Sequence, residues 1–451
     1  MEKISMAELA GALSLDYTGD AWIGAVSTDS RSIPPGCLFI ALEGENFDGH
    51  QYIAQALEQG AAFALAHKPG DYPAGRVFIV KDTRQALLDV AGFYRRQLGI
   101  PVVGVTGSVG KTTTKEMIAC VMAQKYKTLK NEANLNNEIG LSQTVLGLTG
   151  EHEAAVLEMG MDGPGQIHQL TLCARPDVAV VTNIGVSHLE RLGSRENILQ
   201  EKLSITDGMV PGSTVILCGD NDLLSQTELP NFKVLRYGLE NKDCQVIARQ
   251  ILSFSTHTNF VISFDGNAYD AQIPTMGRHN VLNSLAAFCV AIALEIPPQK
   301  AIAALRGYRP AGMRQNIVQH AAYTVVEDCY NASPDSMRSA LETLGQLKCT
   351  GRKIAVLSDM LELGPIEKEA HFQAGREAAE NGVEVLLSVG ELAREYHRGA
   401  LEAGIGKAVH YEDKEALFQE LAQLVAPGDI VWFKASRGMR LEEVIHRLYA
   451  Q

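Results

Sequence analysis

The residues Thr106-Gly107-Ser108-Val109-Gly110-Lys111-Thr112-Thr113 stand between an apolar, strand-like segment and a helix-like one. Glycines there let successive backbone N–H groups turn inward around phosphate oxygens, and a helix N-terminus adds partial positive charge. At this spacing the Lys111 ammonium reaches terminal phosphates, and the Thr112 hydroxyl is of the type that binds Mg²⁺. The general phosphate-loop pattern has a further glycine five positions before Gly110, where this chain has Val105, so a shorter T-G-x-x-G-K-T-T form remains. A glycine-rich turn of purely structural use is the competing reading, and the strand–loop–helix context disfavours it. The loop predicts an ATP-binding enzyme.

Further residues suit the chemistry around such a loop. Glu158 closes the strand-like run AAVLE, and carboxylates at the carboxyl ends of parallel strands face the ligand crevice, where they hold Mg²⁺. A solvated strand-end glutamate is the alternative. His188 stands similarly past DVAVVTNIG, where a cap or surface histidine is the commoner use. Lys202 lies on a predicted helix, and spacing alone reads it as a solvated lysine. Asn280 and Asn283 are three apart and share a helix face, so their amides are able to read a base edge; an N-cap plus a buried polar contact is the alternative. Asp328, Tyr330 and Asn331 follow the strand-like YTVVE, where a carboxylate suits a ribose hydroxyl. Arg314 is suited to a phosphate or to a surface ion pair. Lys434, Ser436 and Arg437 form a basic and hydroxylic cluster suited to a carboxylate or phosphate, or else a solvated charge run.

The elements that must position these groups follow from periodicity and turn punctuation. Gly36–Leu42 and Arg76–Val80 read as strands, His50–Leu65 as a helix ending at Gly60 and leading into a strand, and Thr83–Leu98 as a connecting helix. From Pro101 strand-like and helix-like segments alternate, as in a parallel sheet covered on both faces. Residues 244–273 alternate instead around Asp265-Gly266-Asn267, which reads as an antiparallel hairpin set. From Arg314 the βα rhythm resumes with YTVVE, KIAVLS, VEVLLSVG and DIVWFKA as strands. The expected fold is α/β with three domains: a small α/β domain at 1–82, a central phosphate-loop domain at 83–313 with a mainly parallel sheet plus an antiparallel addition, and a Rossmann-like α/β domain at 314–451.

Bulk composition bounds the function. A chain of 451 residues exceeds one ordinary core, and its 46% hydrophobic and 21% charged residues fit a soluble globular protein. A net charge of -13 argues against nucleic-acid or anionic-membrane binding. The opening MEKISMAELAGALS has no long apolar core, so no signal peptide is expected, and no stretch is apolar enough to span a membrane. Eight scattered cysteines with no Cys-x-x-Cys pair suit a reducing cytoplasm and not a zinc site.

The segments TGSVGKTTTKE, NEANLNNEIG, LEMGMDGPGQI, TNIGVSHLERLGS, MGRHNVLNSLAA, EDCYNASPDSM and SDMLELG together resemble the Mur ligases of peptidoglycan synthesis. TDSRSIPPGCLFIALEGENFDGHQYI resembles the uridine-nucleotide-binding domain of the same family. The member that adds the third amino acid has a serine-rich stretch where this chain has Glu158-Met159-Gly160-Met161, and the resemblance points to the dipeptide-adding member instead. It implies an ATP-dependent ligase joining D-alanyl-D-alanine to UDP-N-acetylmuramoyl-tripeptide through an acyl phosphate, and a role in cell-wall biogenesis, cell shape and division. It further implies that loop residues 106–113 and Lys111 hold ATP, and that Thr112 and Glu158 hold one Mg²⁺. Lys202, carbamylated by CO₂, would hold a second Mg²⁺ with His188. Asn283 would contact adenine, Asp328 and Tyr330-Asn331 the ribose region, and Arg314 the phosphates. Ser30, Arg31, Asn46, Asp48, Gly49 and His50 would meet the uridine diphosphate, Asn136 and Asn137 the muramoyl substrate, and Lys434, Ser436 and Arg437 the dipeptide. A cytoplasmic monomer is expected. Another muramoyl amino-acid ligase, a folylpolyglutamate-type synthetase and a phosphate-loop regulatory ATPase are the competing readings; the last has no use for Glu158, His188 and Lys202 together.

Overall fold

A computed structural model describes residues 1–132, 134–310 and 312–450. The chain forms two compact units. The first comprises Met1–Thr106, Lys125–Ala179 and Glu201–Ser213; the second comprises Gly107–Gln124, Val180–Gln200 and Thr214–Gln451.

In the first unit, the strands Val26–Ser27, Leu38–Ile40, Phe63–Ala66 and Val77–Ile79 form a parallel sheet in that order. Leu38–Ile40 and Phe63–Ala66 are buried at every position, as strands of a covered parallel sheet are. Phe39, Ala41 and Ala64 pack with Ile53 and Ala56 of the helix Ile53–Glu58. The connecting helix is found at Thr83–Arg96, started by Asp82, whose carboxylate accepts from the N–H groups of Arg84 and Gln85. The same unit holds Thr128–Lys130, Ala154–Glu158 and Val102–Thr106, parallel and adjacent in that order. The last two are wholly buried and end at Glu158 and Thr106, so both candidate residues stand at carboxyl ends of parallel strands.

In the second unit, the helix Lys111–Met122 packs against Arg278–Ala293. Thr214–Cys218 and Lys233–Gly238 pair in parallel, and Val246–Ser253 joins them through Val246 and Ile247. It then pairs antiparallel with Thr258–Phe264, which pairs antiparallel with Asn267–Ile273. The turn between the last two places Asp265 and Gly266 at positive φ, 48° and 71°, as a two-residue hairpin requires. The predicted hairpin set is therefore present on a mainly parallel sheet.

The remaining sheet has six strands, in the order Asn316–His320, Tyr323–Asp328, Ile430–Lys434, Lys353–Ser358, Val385–Val389 and Lys407–Tyr411. All neighbours are parallel except the first pair. Four of these strands match the segments read from the sequence. The other two are the sheet edges, and their residues are almost all half-buried, so they lack the apolar run that marks a covered strand. Trp432 and Phe433 are successive residues that enter separate cores on the two faces.

Candidate active site

The phosphate loop is held in shape by the strand-end segment beside it in the second unit. The Ser108 and Val109 N–H groups donate to the backbone oxygen and Oδ1 of Asn183, at 3.0 and 2.8 Å. Thr182 Oγ1 donates to the Val109 carbonyl at 2.6 Å. Two glycines are required by both conformation and space. Gly107 has φ +148° and a Cβ on it would stand 1.9 Å from Thr182 Oγ1; Gly110 has φ +85° and a Cβ there would stand 2.7 Å from Asn283 Oδ1. Gly110 caps the helix that begins at Lys111 without a side-chain acceptor, which leaves the first-turn N–H groups suited to an anion. Lys111 Nζ folds over the loop and donates to the Gly107 and Ser108 carbonyls at 2.8 and 3.3 Å. Thr112 is buried at the start of this helix, and Thr113 follows it. Thr106 is the last residue of its strand, and its hydroxyl donates to the Met159 carbonyl at 3.0 Å.

Asn280 and Asn283 share a buried helix face, as their spacing predicts, and each engages the other. Asn283 Nδ2 donates to Asn280 Oδ1 at 3.1 Å, and Thr114 Oγ1 donates to Asn283 Oδ1 at 3.1 Å. Asn280 Nδ2 continues the chain to Gln315 Oε1 at 2.7 Å. Asn283 thus sits against the phosphate loop, while Asn280 serves an internal network. Gln315 was not singled out in the sequence, because no motif marks it. The same amide meets His279 Nε2 at 2.8 Å, and burial pushes the imidazole pKa down to about 4, so the ring is neutral.

Glu158 and Lys202 belong to the first unit. Glu158 is 2% exposed, and Asn136 Nδ2 donates to its Oε1 at 2.9 Å. Asn131, which the sequence reading passed over, brackets the Glu158 peptide by donating to its carbonyl at 3.0 Å and accepting from its N–H at 2.8 Å. Asn137 instead caps the helix Glu138–Leu146 by accepting from the Gly140 N–H at 2.9 Å, so its side chain has a structural partner. Lys202 is 1% exposed, which overturns the solvated reading that helical spacing alone suggests. A lysine so deep is rare unless a partner or a chemical role holds it there. Its neighbour Glu201 accepts from the Gly165 and Ile167 N–H groups at 2.7 and 2.9 Å, tying this helix to the next. In the second unit His188 has φ +64°, a left-handed conformation that costs a non-glycine residue energy.

At the carboxyl end of the six-stranded sheet, Asp328 and Lys434 are register partners on neighbouring strands. Lys434 Nζ donates to Asp328 Oδ2 at 2.8 Å and to the Asn331 carbonyl at 3.2 Å, and both charged groups are buried. The basic cluster read from the sequence is therefore divided. Lys434 is the counter-ion of Asp328, and buried Ser436 accepts from the Leu361 N–H at 3.0 Å. The Arg437 guanidinium stands 5.2 Å from the centre of the Tyr330 ring, and that of Arg314 stands 3.9 Å from the same ring. One aromatic face set thus gathers two cations that are far apart in sequence.

Near the amino-terminal sheet, in the short hairpin that pairs Glu43–Gly44 with Phe47–Asp48, Asp48 accepts from the His50 N–H at 3.0 Å and from Lys68 Nζ at 2.7 Å, and its Oδ1 lies 2.7 Å from His50 Nδ1. The Lys68 hydrogen bond above all holds the Asp48 carboxyl well below the usual range. His50 Nε2 in turn accepts from the His67 N–H at 3.1 Å. Gly49 has no room for a Cβ, which would stand 2.8 Å from the Leu42 carbonyl oxygen. Ser30 is buried, Asn46 is exposed, and exposed Arg31 pairs with Asp29 at 2.7 Å.

Among the described residues no three His, Cys, Asp or Glu side chains gather as a ready-made metal cage. The Thr112 hydroxyl in the second unit and, separately, the buried Glu158 carboxylate in the first are each an oxygen donor of the type that suits Mg²⁺, an ion that takes other ligands from phosphates and water. The loop amides, Lys111 and the helix N-terminus fit a polyphosphate.

Comparison with known proteins extends over the whole chain. Residues 23–107 match the catalytic domain of the Mur ligase family, 105–291 the Mur ligase middle domain, and 313–437 the Mur ligase glutamate ligase domain. The UDP-N-acetylmuramoyl-tripeptide–D-alanyl-D-alanine ligase of Bacillus subtilis (strain 168) is 39% identical over 430 residues, covering 94% of this chain and 93% of that protein. Its namesake from Escherichia coli (strain K12) is 34% identical over 454 residues, 99% of each chain. Crystal structure I of MurF from Acinetobacter baumannii aligns with a TM-score of 0.91 at 29% identity over 100% of both chains. The MurF ligase of Thermotoga maritima in complex with ADP aligns at 0.86 with 29% identity, over 94% of this chain and 97% of that one.

Proposed function

Because the chain belongs to the Mur ligase family, we propose that it joins D-alanyl-D-alanine to UDP-N-acetylmuramoyl-tripeptide, cleaving ATP to ADP and phosphate. The observation that carries this reading is likeness over nearly the full length to two enzymes of that activity, supported by a glycine loop that Asn183 and Thr182 hold in place at a helix start. The product is the UDP-muramoyl-pentapeptide of peptidoglycan synthesis. Among the described residues no helix is long and apolar enough to cross a membrane; we place the reaction in the cytoplasm, where ATP is supplied.

The chemistry needs no side-chain nucleophile. The tripeptide's terminal carboxylate attacks the γ-phosphorus, forming an acyl phosphate while ADP leaves. The dipeptide amine then attacks the acyl carbon, and phosphate leaves with the C–O bond electrons as the amine loses a proton. Catalysis therefore rests on positioning and charge stabilisation. Loop residues 106–113 and Lys111 hold the ATP phosphates, Asn283 meets the adenine, and Asp328, Tyr330, Asn331 and Arg314 meet the ribose and phosphates. Thr112 and Glu158 are assigned to one Mg²⁺, and His188 and Lys202 to another. When bound, these ions neutralise phosphate charge that otherwise repels the incoming carboxylate. Lys202 suits its part as a carbamate: the neutral amine adds to CO₂, a proton leaves, and a buried cation becomes an anionic oxygen donor. Its burial supports that reading.

We assign 1–82, with Ser30, Arg31, Asn46, Asp48, Gly49 and His50, to the uridine nucleotide. Residues 83–313 take ATP, with Asn136 and Asn137 toward the muramoyl substrate. Residues 314–451 take the dipeptide near Lys434, Ser436 and Arg437. The test is phosphate release from ATP and UDP-tripeptide with D-Ala-D-Ala, set against single amino acids and no acceptor. Release is expected with the dipeptide alone; equal turnover without any acceptor would instead identify an ATPase.

A further inference from the structure

In the segment that leads to His188, each of the residues Asn183 to Val186 is anchored: Asn183 and Gly185 by the phosphate loop, Ile184 by Arg195 and Asn221, and Val186 by Asp335. Asn183 is hydrogen-bonded to the phosphate loop through its backbone oxygen and Oδ1. The Ile184 carbonyl accepts from Arg195 Nη2 at 2.8 Å and Asn221 Nδ2 at 3.1 Å. The Gly185 N–H donates to Ser108 Oγ, inside the phosphate loop, at 2.9 Å. The Val186 N–H donates to Asp335 Oδ2 at 3.3 Å. Asp335 is in the first turn of the helix Pro334–Gln346, which a Ser333–Ser336 capping box fixes at its start. Its carboxylate also fills the space over Gly185, where a Cβ would stand 2.1 Å from Oδ2. Two residues past Val186 comes His188, with its strained φ.

We propose that Asp335 is a positioning residue through which residues 314–451 set the Asn183–His188 segment, and with it Ser108 of the phosphate loop and the backbone of His188. The proposal rests on the ligase reading for its activity readout and on the assignment of His188 to Mg²⁺ for its metal readout. Ser108 and Asp335 anchor the adjacent residues Gly185 and Val186 of one short segment, so losing one lets the other move; misplacing a reacting group costs about tenfold or more in rate.

The test compares Asp335→Ala, Asp335→Asn, Gly185→Ala and the double variant Gly185→Ala/Asp335→Ala, with His188→Ala as reference, in full steady-state kinetics and Mg²⁺ titrations. Asp335→Ala is expected to lower kcat about tenfold and raise the Mg²⁺ needed for half-maximal rate several-fold, leaving the dipeptide KM unchanged. Asp335→Asn, which keeps an acceptor oxygen, should recover most of the loss. Gly185→Ala should reproduce the defect by expelling the carboxylate, and the double variant should be no worse than either single one. Wild-type kcat in Asp335→Ala or Gly185→Ala, or losses that multiply in the double variant, overturns the proposal. Should Asp335→Ala fail to fold, Gly185→Ala and Asp335→Asn still decide the matter. If His188→Ala leaves the Mg²⁺ titration unmoved, the metal assignment of His188 falls, and the kcat and double-variant arms still judge Asp335.

Discussion

Lys202 and Lys434 are both buried lysines, a depth that the sequence spacing did not show. Lys434 is balanced by Asp328 at 2.8 Å, so its charge already has a counterpart within the fold. Lys202 is equally deep, on a helix whose spacing suggested exposure. Keeping a full ammonium at such a site is costly unless it is paired or chemically converted, and conversion to a carbamate is the part proposed for Lys202. Lys202→Ala is therefore expected to abolish ligase activity, with added bicarbonate unable to restore it because no amine remains to react. Assay of phosphate release with and without bicarbonate checks this; a full rate in the variant removes the carbamate role.

At the scale of elements, side chains read as ligands prove to be divided between chemistry and construction. The strand–loop–helix unit around Gly107–Thr113 was legible because each of its parts is local: apolar run, glycines, helix start. Asn136 and Asn137 are adjacent and of one type, yet one meets the Glu158 carboxylate and the other caps a helix. Only the direction of the backbone at the helix start separates them. Asn137→Ala is expected to destabilise the protein by about 1 kcal/mol, the typical value of a lost N-cap, and Asn137→Asp to restore it. Urea unfolding curves of the variants measure this; an unchanged midpoint in Asn137→Ala shows the cap to be dispensable.

The stability of the whole molecule responds to pH through groups whose protonation differs between folded and unfolded chains. His279 is such a group, held neutral by burial with a pKa of about 4 against an ordinary 6.5. Above pH 6.5 both states leave it neutral and its contribution is fully present. As pH falls from 6.5 to about 4 the unfolded chain takes up the proton first, and stability is lost across that window. The loss is on the order of 3 kcal/mol at most. Denaturation curves between pH 7 and 4.5 are expected to show this fall in the wild type and a shallower one in His279→Gln; identical slopes would exclude the contribution.

The sequence alone determined the α/β alternation, the phosphate loop, the antiparallel addition and most strands of the last sheet. These rest on periodicity and on glycine, proline and capping residues acting over a few neighbouring positions, so they are written locally. The edge strands Asn316–His320 and Lys407–Tyr411 escaped because half-buried strands lack a continuous apolar signal. Only the tertiary structure decided that Lys434 meets Asp328 across 106 positions, that Arg314 and Arg437 share the Tyr330 ring, that Lys202 is buried and that Asp335 reaches Val186 across 149. Such pairings depend on which strand ends and helix turns the packed core brings side by side, and nothing in the spacing of two distant charges encodes their meeting.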